Sequence, residues 1–163
     1  MTRTNILFCI ASFLGVVTGC KRGNNTAHTP VAQGSGKAVQ KKEKWHWDKG
    51  GKQNESAGYA QVVKVGHTLY LSGVPTSDLS PEGITGVYHT LGQCLHAFGA
   101  SAKDVAKETL YTTDIEAMKK YNDSRKAFYQ GDYPAATWVQ VNRLYEADAK
   151  LEVELIAELS SKE

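Results

Sequence analysis

The sequence predicts an α+β domain in which a mixed β-sheet carries two helices on one face. Three observations support this prediction. Short stretches with alternating apolar residues are separated by turn residues, as is typical of strands. Two longer stretches have apolar residues at steps of three and four, as in amphipathic helices. The order of elements is two or three strands, a helix, a strand, a helix and two strands, which favours helices collected on one side of a sheet.

The folded part begins with short strands. Residues 44–47 are a candidate strand. Residues 59–65 and 68–72 alternate well enough to form two strands, and Gly66-His67 between them predicts a hairpin turn. Residues 75–81 begin and end with proline, and we expect them to form a loop.

The first predicted helix has an apolar face. Its residues are Ile84, Val87, Leu91, Cys94, Leu95 and Phe98. Gly99 ends the helix, because glycine accepts the left-handed conformation that closes many helices. Cys94 has no partner for a disulfide framework, since Cys9 and Cys20 lie near the N-terminus. We expect Cys94 to be a buried side chain rather than a nucleophile.

The second half of the domain is predicted to contain a strand, a helix and two further strands. A strand is predicted through about Thr113, and Asp114 can cap a second helix that ends before Gly131. Residues 135–144 and 150–159 alternate and form the last two predicted strands.

Five side chains on these last two strands are predicted to share the second face of the sheet, away from the helices. They are Trp138, Gln140, Asn142, Glu152 and Glu154. An aromatic ring among amides and carboxylates suits a surface that another subunit covers. The pattern therefore predicts a homo-oligomer.

The N-terminal region resembles the signal of a bacterial lipoprotein precursor. Arg3 precedes an apolar run over residues 6–17, which is too short to span a membrane but suits the core of a secretory signal. Val17-Thr18-Gly19-Cys20 resembles a lipobox, whose cysteine is lipidated. We expect residues 1–19 to be removed and Cys20 to anchor the chain to a membrane of the bacterial cell envelope, outside the cytoplasm. The alternative is an ordinary signal peptide with an incidental Cys20.

Residues 20–51 are predicted to be a flexible basic tether and residues 52–163 the folded domain. The lysines of the tether either lie against anionic lipid headgroups or are simply solvated. The chain has 19 Lys and Arg against 17 Asp and Glu, so nucleic acid is not an expected partner. His89 and His96 could share a helical face, but no carboxylate or thiolate stands at ligand spacing. We expect neither a metal nor a cofactor.

Several short segments of the domain together resemble the YjgF/YER057c/RidA family. They are Gly58-Tyr59-Ala60-Gln61-Val62-Val63, Leu71-Ser72-Gly73, Asp104-Val105-Ala106-Lys107, Tyr121-Asn122, Tyr133-Pro134-Ala135 and Leu151-Glu152-Val153-Glu154-Leu155-Ile156-Ala157. The resemblance covers about residues 58–158. It implies a chorismate-mutase-like fold and a homotrimer with three clefts between subunits.

The resemblance also implies a site. Family members of the RidA type hydrolyse enamines and imines to 2-keto acids and ammonia. Glu152 matches the glutamate that helps to position the attacking water. The expected ligand-contact positions are Tyr59, Ser72, Gly73, Asn122, Ala136 and Trp138. Ala136 stands where the family's Pro-Ala-Arg-Ser motif has an arginine for the substrate carboxylate, and Trp138 replaces a residue that is commonly small.

Three functional hypotheses follow. The first is a lipid-anchored RidA-like protein that binds a small neutral or aromatic molecule in its clefts, because Ala136 cannot pair with a carboxylate as arginine does. The second is an enamine or imine deaminase that uses Glu152 to activate water. The third is a structural trimer without a ligand, whose clefts Trp138 closes.

Overall fold

The computed structural model describes residues 40–47 and 51–160. The signal peptide, the lipid anchor at Cys20 and most of the tether therefore lie outside the described residues and stay predictions. Over the described ranges, no helix is both long and apolar enough to cross a membrane.

Within the described residues, six strands form one mixed sheet in the order β1-β2-β3-β6-β4-β5. The strands are β1 Lys42–Trp45, β2 Val62–Val65, β3 Thr68–Thr76, β4 Val105–Thr112, β5 Ala135–Gln140 and β6 Leu151–Glu158. Neighbouring strands are antiparallel except β4 and β5, which are parallel. A parallel pair needs a long crossover, and the second helical region supplies it.

The N-terminal edge of the sheet begins before residue 52, the predicted start of the folded domain. The predicted hairpin joins β2 to β3, with Gly66 at φ 63° in the turn. β1 pairs with β2 in the register Lys42 to Val65 and Trp45 to Val62. The sheet thus includes residues that we had assigned to the tether, and the domain starts before residue 52.

Three α-helices occupy the described part of the chain, α1 Pro81–His96, α2 Ile115–Lys120 and α3 Asn122–Tyr129. Ser80 caps α1 by accepting a hydrogen bond from the backbone N–H of Gly83 at 3.2 Å. The predicted second helix is broken at Tyr121 into α2 and α3. Tyr121 lies between the two helices with φ −105° and ψ 22°, outside the helical conformation.

The helices cover one face of the sheet, as predicted. The fully buried core residues of α1 and the sheet include Leu69, Ile84, Leu91, Leu95, Leu110, Leu151 and Val153. Cys94 lies in this core with no exposed surface, and burial raises the pKa of its thiol to about 12. The prediction that Cys94 is buried is confirmed.

The predicted shared face of the last two strands is wrong. β5 pairs with β4 and not with β6, and Trp138 stands in register with Leu110, which is buried under the helices. Glu152 and Glu154 alternate with buried residues of β6 and project from the opposite face. The residues of β6 alternate in burial as predicted. The face that each residue of β5 occupies depends on the strand order, which the crossover sets and the local pattern does not.

Candidate functional site

A pocket of about 460 Å³ lies where Glu152 projects away from the helices. We call it the Glu152 pocket, and its lining residues are Asn54, Ala57, Tyr59, Ser72, Gly73, Pro75, Tyr145, Glu146 and Glu152. Its volume is that of a site for a small molecule. Four of the sequence-predicted site residues, Tyr59, Ser72, Gly73 and Glu152, are therefore brought together.

An irregularity in β3 makes room for the Glu152 carboxylate. The pairing of β3 with β6 shifts register between Leu71 and Val74, where Ser72 and Gly73 lie. A Cβ atom added at Gly73 would lie within 2.6 Å of the Cγ and Cδ atoms of Glu152, and closer still to Oε1. Only glycine at this position lets the carboxylate lie directly over the backbone.

Ser72 holds the neighbouring segment in place. Its hydroxyl donates a hydrogen bond to the carbonyl of Ala60 at 2.8 Å, and its backbone N–H donates to the carbonyl of Gln61 at 2.9 Å. The Gln61 side-chain amide donates back to the Ser72 carbonyl at 2.9 Å. Because its hydroxyl proton is committed, Ser72 can accept a hydrogen bond from a ligand but not donate one.

Tyr59 stands at the rim of the pocket. Its backbone forms an isolated bridge with Asn54, whose N–H donates to the Tyr59 carbonyl at 2.7 Å. The ring packs edge-on against His46, with centroids 5.3 Å apart, and is 40% exposed. The loop after β5 supplies Tyr145 to the opposite rim of the pocket. β5 ends at Gln140, so Asn142, which was predicted to be in the strand, lies in this loop.

The Glu152 carboxylate is free to act on a ligand. Burial, followed by the negative charge of Glu154, raises its pKa above the ordinary value of a glutamate. Tyr111 donates its hydroxyl hydrogen bond to Glu154, at 3.3 Å. Among the residues that the structure describes, none donates a hydrogen bond to the Glu152 side chain. A half-buried carboxylate of this kind can accept a proton from water.

A second polar group lies under the helices, on the other side of the sheet. We call it the Arg125 cluster, and it consists of Tyr88, Glu108, Arg125, Tyr129 and Trp138. Glu108 is fully buried and accepts four hydrogen bonds. Their donors are Tyr129 Oη at 2.6 Å, Arg125 Nε at 2.7 Å, Tyr88 Oη at 3.2 Å and Trp138 Nε1 at 3.3 Å.

The charges in this cluster are fixed. Burial and the nearby Glu108 charge raise the pKa of Tyr88 and of Tyr129, so both phenols stay protonated and donate. Burial alone would lower the pKa of Arg125, but the hydrogen bond and charge of Glu108 outweigh it and raise that pKa. Arg125 is therefore a permanent cation beside a buried carboxylate.

Sequence reasoning missed this cluster. Its signal was a carboxylate on the buried side of a strand, because Glu108 alternates with Leu110 and Thr112, which are also buried. A buried carboxylate needs a charged or donating partner. Arg125 could not be chosen from the sequence, since the adjacent cation of the same helix, Lys126, is exposed.

The remaining predicted site residues belong with the Arg125 cluster and not with the Glu152 pocket. Trp138 is part of the cluster, and Ala136 stands in register with Glu108 on the adjacent strand. Asn122 begins α3, one turn before Arg125, and its Oδ1 atom is buried without a hydrogen-bond partner. The predicted site residues of one chain thus form two groups on opposite sides of its sheet.

Residues 40–47 and 51–160 contain no group of three or more His, Cys, Asp or Glu side chains placed to hold a metal ion. His89 and His96 line a groove between β1 and α1, together with Trp45, Trp47 and Phe128.

The sheet has one face covered by helices and one open face with a carboxylate pocket. This arrangement is that of a known class of α+β protein. The sequence profile of the family described as Endoribonuclease L-PSP matches residues 52–159. The chain belongs to this family, the YjgF/RidA proteins.

Curated relatives agree with this assignment. The chain is 31% identical over 107 residues to a 2-iminobutanoate/2-iminopropanoate deaminase of Dermatophagoides farinae, which covers 60% of this chain and 83% of that protein. It is 33% identical over 108 residues to the protein of the same name from Rattus norvegicus, covering 61% and 78%. A RutC family protein of Pyrococcus abyssi is 31% identical over 108 residues, covering 61% and 84%.

Solved structures confirm the predicted fold. A member of the YjgF/YER057c/UK114 family from Mycobacterium tuberculosis superposes with a TM-score of 0.64 at 20% identity, covering 73% of this chain and 100% of that one. A putative endoribonuclease from Thermotoga maritima gives a TM-score of 0.61 at 26% identity, covering 67% and 92%.

Proposed function

We propose that this protein binds a small molecule in the Glu152 pocket and hydrolyses a carbon–nitrogen double bond there, as an enamine or imine deaminase. The observation that carries the proposal is the Glu152 carboxylate, which lies over Gly73 in a pocket with Tyr59 and accepts no hydrogen bond from any described residue. The names of the relatives at 31% and 33% identity support the same chemistry.

The reaction needs one base that later acts as an acid. Water adds to the carbon of the C=N bond while Glu152 takes a water proton. Glu152 then returns this proton to the nitrogen, which becomes an amine. Collapse of this adduct forms a C=O bond and releases ammonia, so imine and water give ketone and ammonia. A carboxylate with a raised pKa suits both proton transfers.

We propose that the complete site lies between copies of the chain in a homotrimer. The sheet separates the Glu152 pocket from the Arg125 cluster in one chain, so one ligand can touch both only across an interface. The open face offers apolar surface for such an interface, with Tyr70 48% exposed and Val139 38% exposed. Tyr145, 85% exposed at the pocket rim, would also gain a partner there.

The test of the proposed activity is the release of 2-oxobutanoate from freshly generated 2-iminobutanoate. We expect the wild-type chain to exceed buffer, and Glu152→Gln to lower the rate by about 10²-fold or more, the usual contribution of general base catalysis. Glu158→Gln is the matched control, because Glu158 is on the same strand and face but outside the pocket. A wild-type rate equal to buffer contradicts the proposal.

Binding without turnover is the second candidate, and Ala136 favours it. This position offers only a methyl group where the family motif has an arginine. The outcome that selects this candidate is saturable binding of a neutral analogue, such as 2-oxobutanamide, with no hydrolysis of the imine.

We also propose that Cys20 is lipidated and holds the protein on a membrane of the bacterial cell envelope. The support is the lipobox-like Val17-Thr18-Gly19-Cys20 after a short apolar run. Cys20→Ser should move the protein from the membrane fraction to the soluble fraction, and Cys94→Ser should not. Retention of Cys20→Ser in the membrane fraction contradicts the anchor.

A further inference from the structure

We propose that Arg125 binds the carboxylate of the ligand, so that a helix supplies the guanidinium group where β5 carries only the methyl group of Ala136. This inference rests on the proposed function, because it concerns the same ligand in the same cleft between copies. It makes Arg125 a specificity-determining residue and the ligand a small carboxylate.

The guanidinium group of Arg125 uses only part of its hydrogen-bonding capacity within the chain. The Arg125 side chain is only 8% exposed, and its Nε donates to Glu108. Its two terminal nitrogens donate to no residue in 40–47 or 51–160, and neither is among the buried unpartnered atoms, so both contact solvent. A ligand that displaces this solvent must offer acceptors to the outward-facing N–H groups.

The Arg125 guanidinium group is also held rigidly. The Arg125 Cζ atom lies 5.0 Å from the ring centroid of Tyr129, 5.5 Å from that of Trp138 and 5.8 Å from that of Tyr133. These rings and the bond to Glu108 fix the side chain before any ligand arrives, which reduces the entropy lost on binding.

The position of the Arg125 cluster near an edge of the sheet favours access by a ligand. β5 is an edge strand of the sheet, Tyr133 is 52% exposed and Ala136 is exposed. Ala136 stands in register with Glu108, so the β5 side chain next to Glu108 is a methyl group and not a long side chain. A small ligand can therefore reach the cluster from the β5 edge.

The charge and shape of the Arg125 guanidinium group also favour a carboxylate ligand. Three of the four donors to Glu108 are neutral, so the carboxylate does not depend on Arg125 alone for its compensation. The two terminal nitrogens present parallel N–H groups, which match the two oxygens of a carboxylate and not a single carbonyl oxygen.

The test compares two probes that differ only at this group, 2-oxobutanoate and its primary amide, 2-oxobutanamide. Binding of each to the full chain is measured by isothermal titration calorimetry. We expect the wild-type protein to bind the carboxylate at least tenfold more tightly than the amide. Arg125→Gln should weaken only the carboxylate and remove the difference, and Lys126→Gln, a loss of the neighbouring exposed cation on α3, should change neither.

A second variant separates ligand binding from folding. Arg125→Gln combined with Ala136→Arg moves the guanidinium to β5 and should restore preference for the carboxylate, which a purely structural role of Arg125 does not predict. If Arg125→Gln does not fold, Arg125→Lys keeps the charge but loses the paired donors, and its preference should fall. Unchanged preference in a folded Arg125 variant, or equal binding of both probes by the wild type, overturns the inference.

The assays also distinguish this inference from the proposed function. Carboxylate preference that depends on Arg125, without imine hydrolysis, supports the inference and contradicts the deaminase. Hydrolysis whose KM does not respond to Arg125→Gln supports the deaminase and overturns the inference.

Discussion

At the scale of single residues, the Glu152 pocket depends on what is absent at Gly73. The Glu152 carboxylate occupies the space that any side chain at position 73 would fill. It also lacks a donor among the described residues, since Tyr111 is engaged by Glu154. The carboxylate is thus placed by steric fit and not by a hydrogen bond, which leaves its oxygens available to water.

Gly73→Ala should therefore displace Glu152 and lower the rate of imine hydrolysis. A displacement of about 1 Å can cost on the order of 10²-fold in rate. Gly86→Ala is the matched control, because a Cβ there meets nothing within 4 Å and alanine favours the helix. Steady-state kinetics of both variants checks this, and a fully active Gly73→Ala enzyme would show that Glu152 needs no such placement.

The raised pKa of Glu152 predicts a pH dependence. The base form dominates only above the raised pKa, so kcat/KM should fall on acidification at a pH above the ordinary glutamate value of about 4.3. Glu154→Gln removes a negative neighbour that raises this pKa, so it should move the acidic limb of the profile to lower pH. A limb that stays in place in this variant contradicts the assignment.

At the scale of elements, the Arg125–Glu108 pair connects α3 to β4. Glu108 has no exposed surface and Arg125 is 7% exposed. Removing one partner of such a pair is costly, whereas replacing both by apolar side chains can be nearly neutral. A buried pair is therefore weak evidence of a stabilising role, and this one is compatible with a role in binding.

Glu108→Leu should lower the free energy of unfolding by about 3–5 kcal/mol, because it leaves Arg125 without its buried counter-ion. The double variant Glu108→Leu, Arg125→Met should recover only part of this loss, because the Tyr88, Tyr129 and Trp138 donors still lack their acceptor. Urea unfolding of the two variants and the wild type measures the difference. Equal destabilisation by the single and double variants would contradict the proposed source of the cost.

The sequence predicted the elements better than their arrangement. Apolar steps located α1, and the Gly66 turn located the β2–β3 hairpin, because both are local signals. The break at Tyr121 was missed, since apolar residues continue across it. The face of Trp138 was also missed, because alternation gives two faces but not which of them the helices cover.

At the scale of the whole molecule, the site was predicted in part. The family resemblance grouped Tyr59, Ser72, Gly73 and Glu152, and the structure places these residues in one pocket. It could not reveal Arg125, which contacts Glu108 across 17 residues of sequence and resembles an ordinary surface cation. Ala136 shows that an arginine is missing at one position of β5, whereas the fold pairs the Arg125 guanidinium with Glu108, which is in register with Ala136.

The central claim is that Glu152 of one copy and Arg125 of another act on one ligand. Glu152→Gln and Arg125→Gln chains should each be impaired alone, and co-expressed chains should form mixed assemblies. In a head-to-tail ring of randomly mixed copies, about a quarter of the interfaces combine the two intact residues.

The most direct measurement is imine hydrolysis by this co-expressed mixture, with each variant expressed alone as the control. If the site is shared between copies, the mixture should recover about a quarter of the wild-type rate. Assembled mixtures no more active than the average of the two separate variants would contradict a site shared between copies.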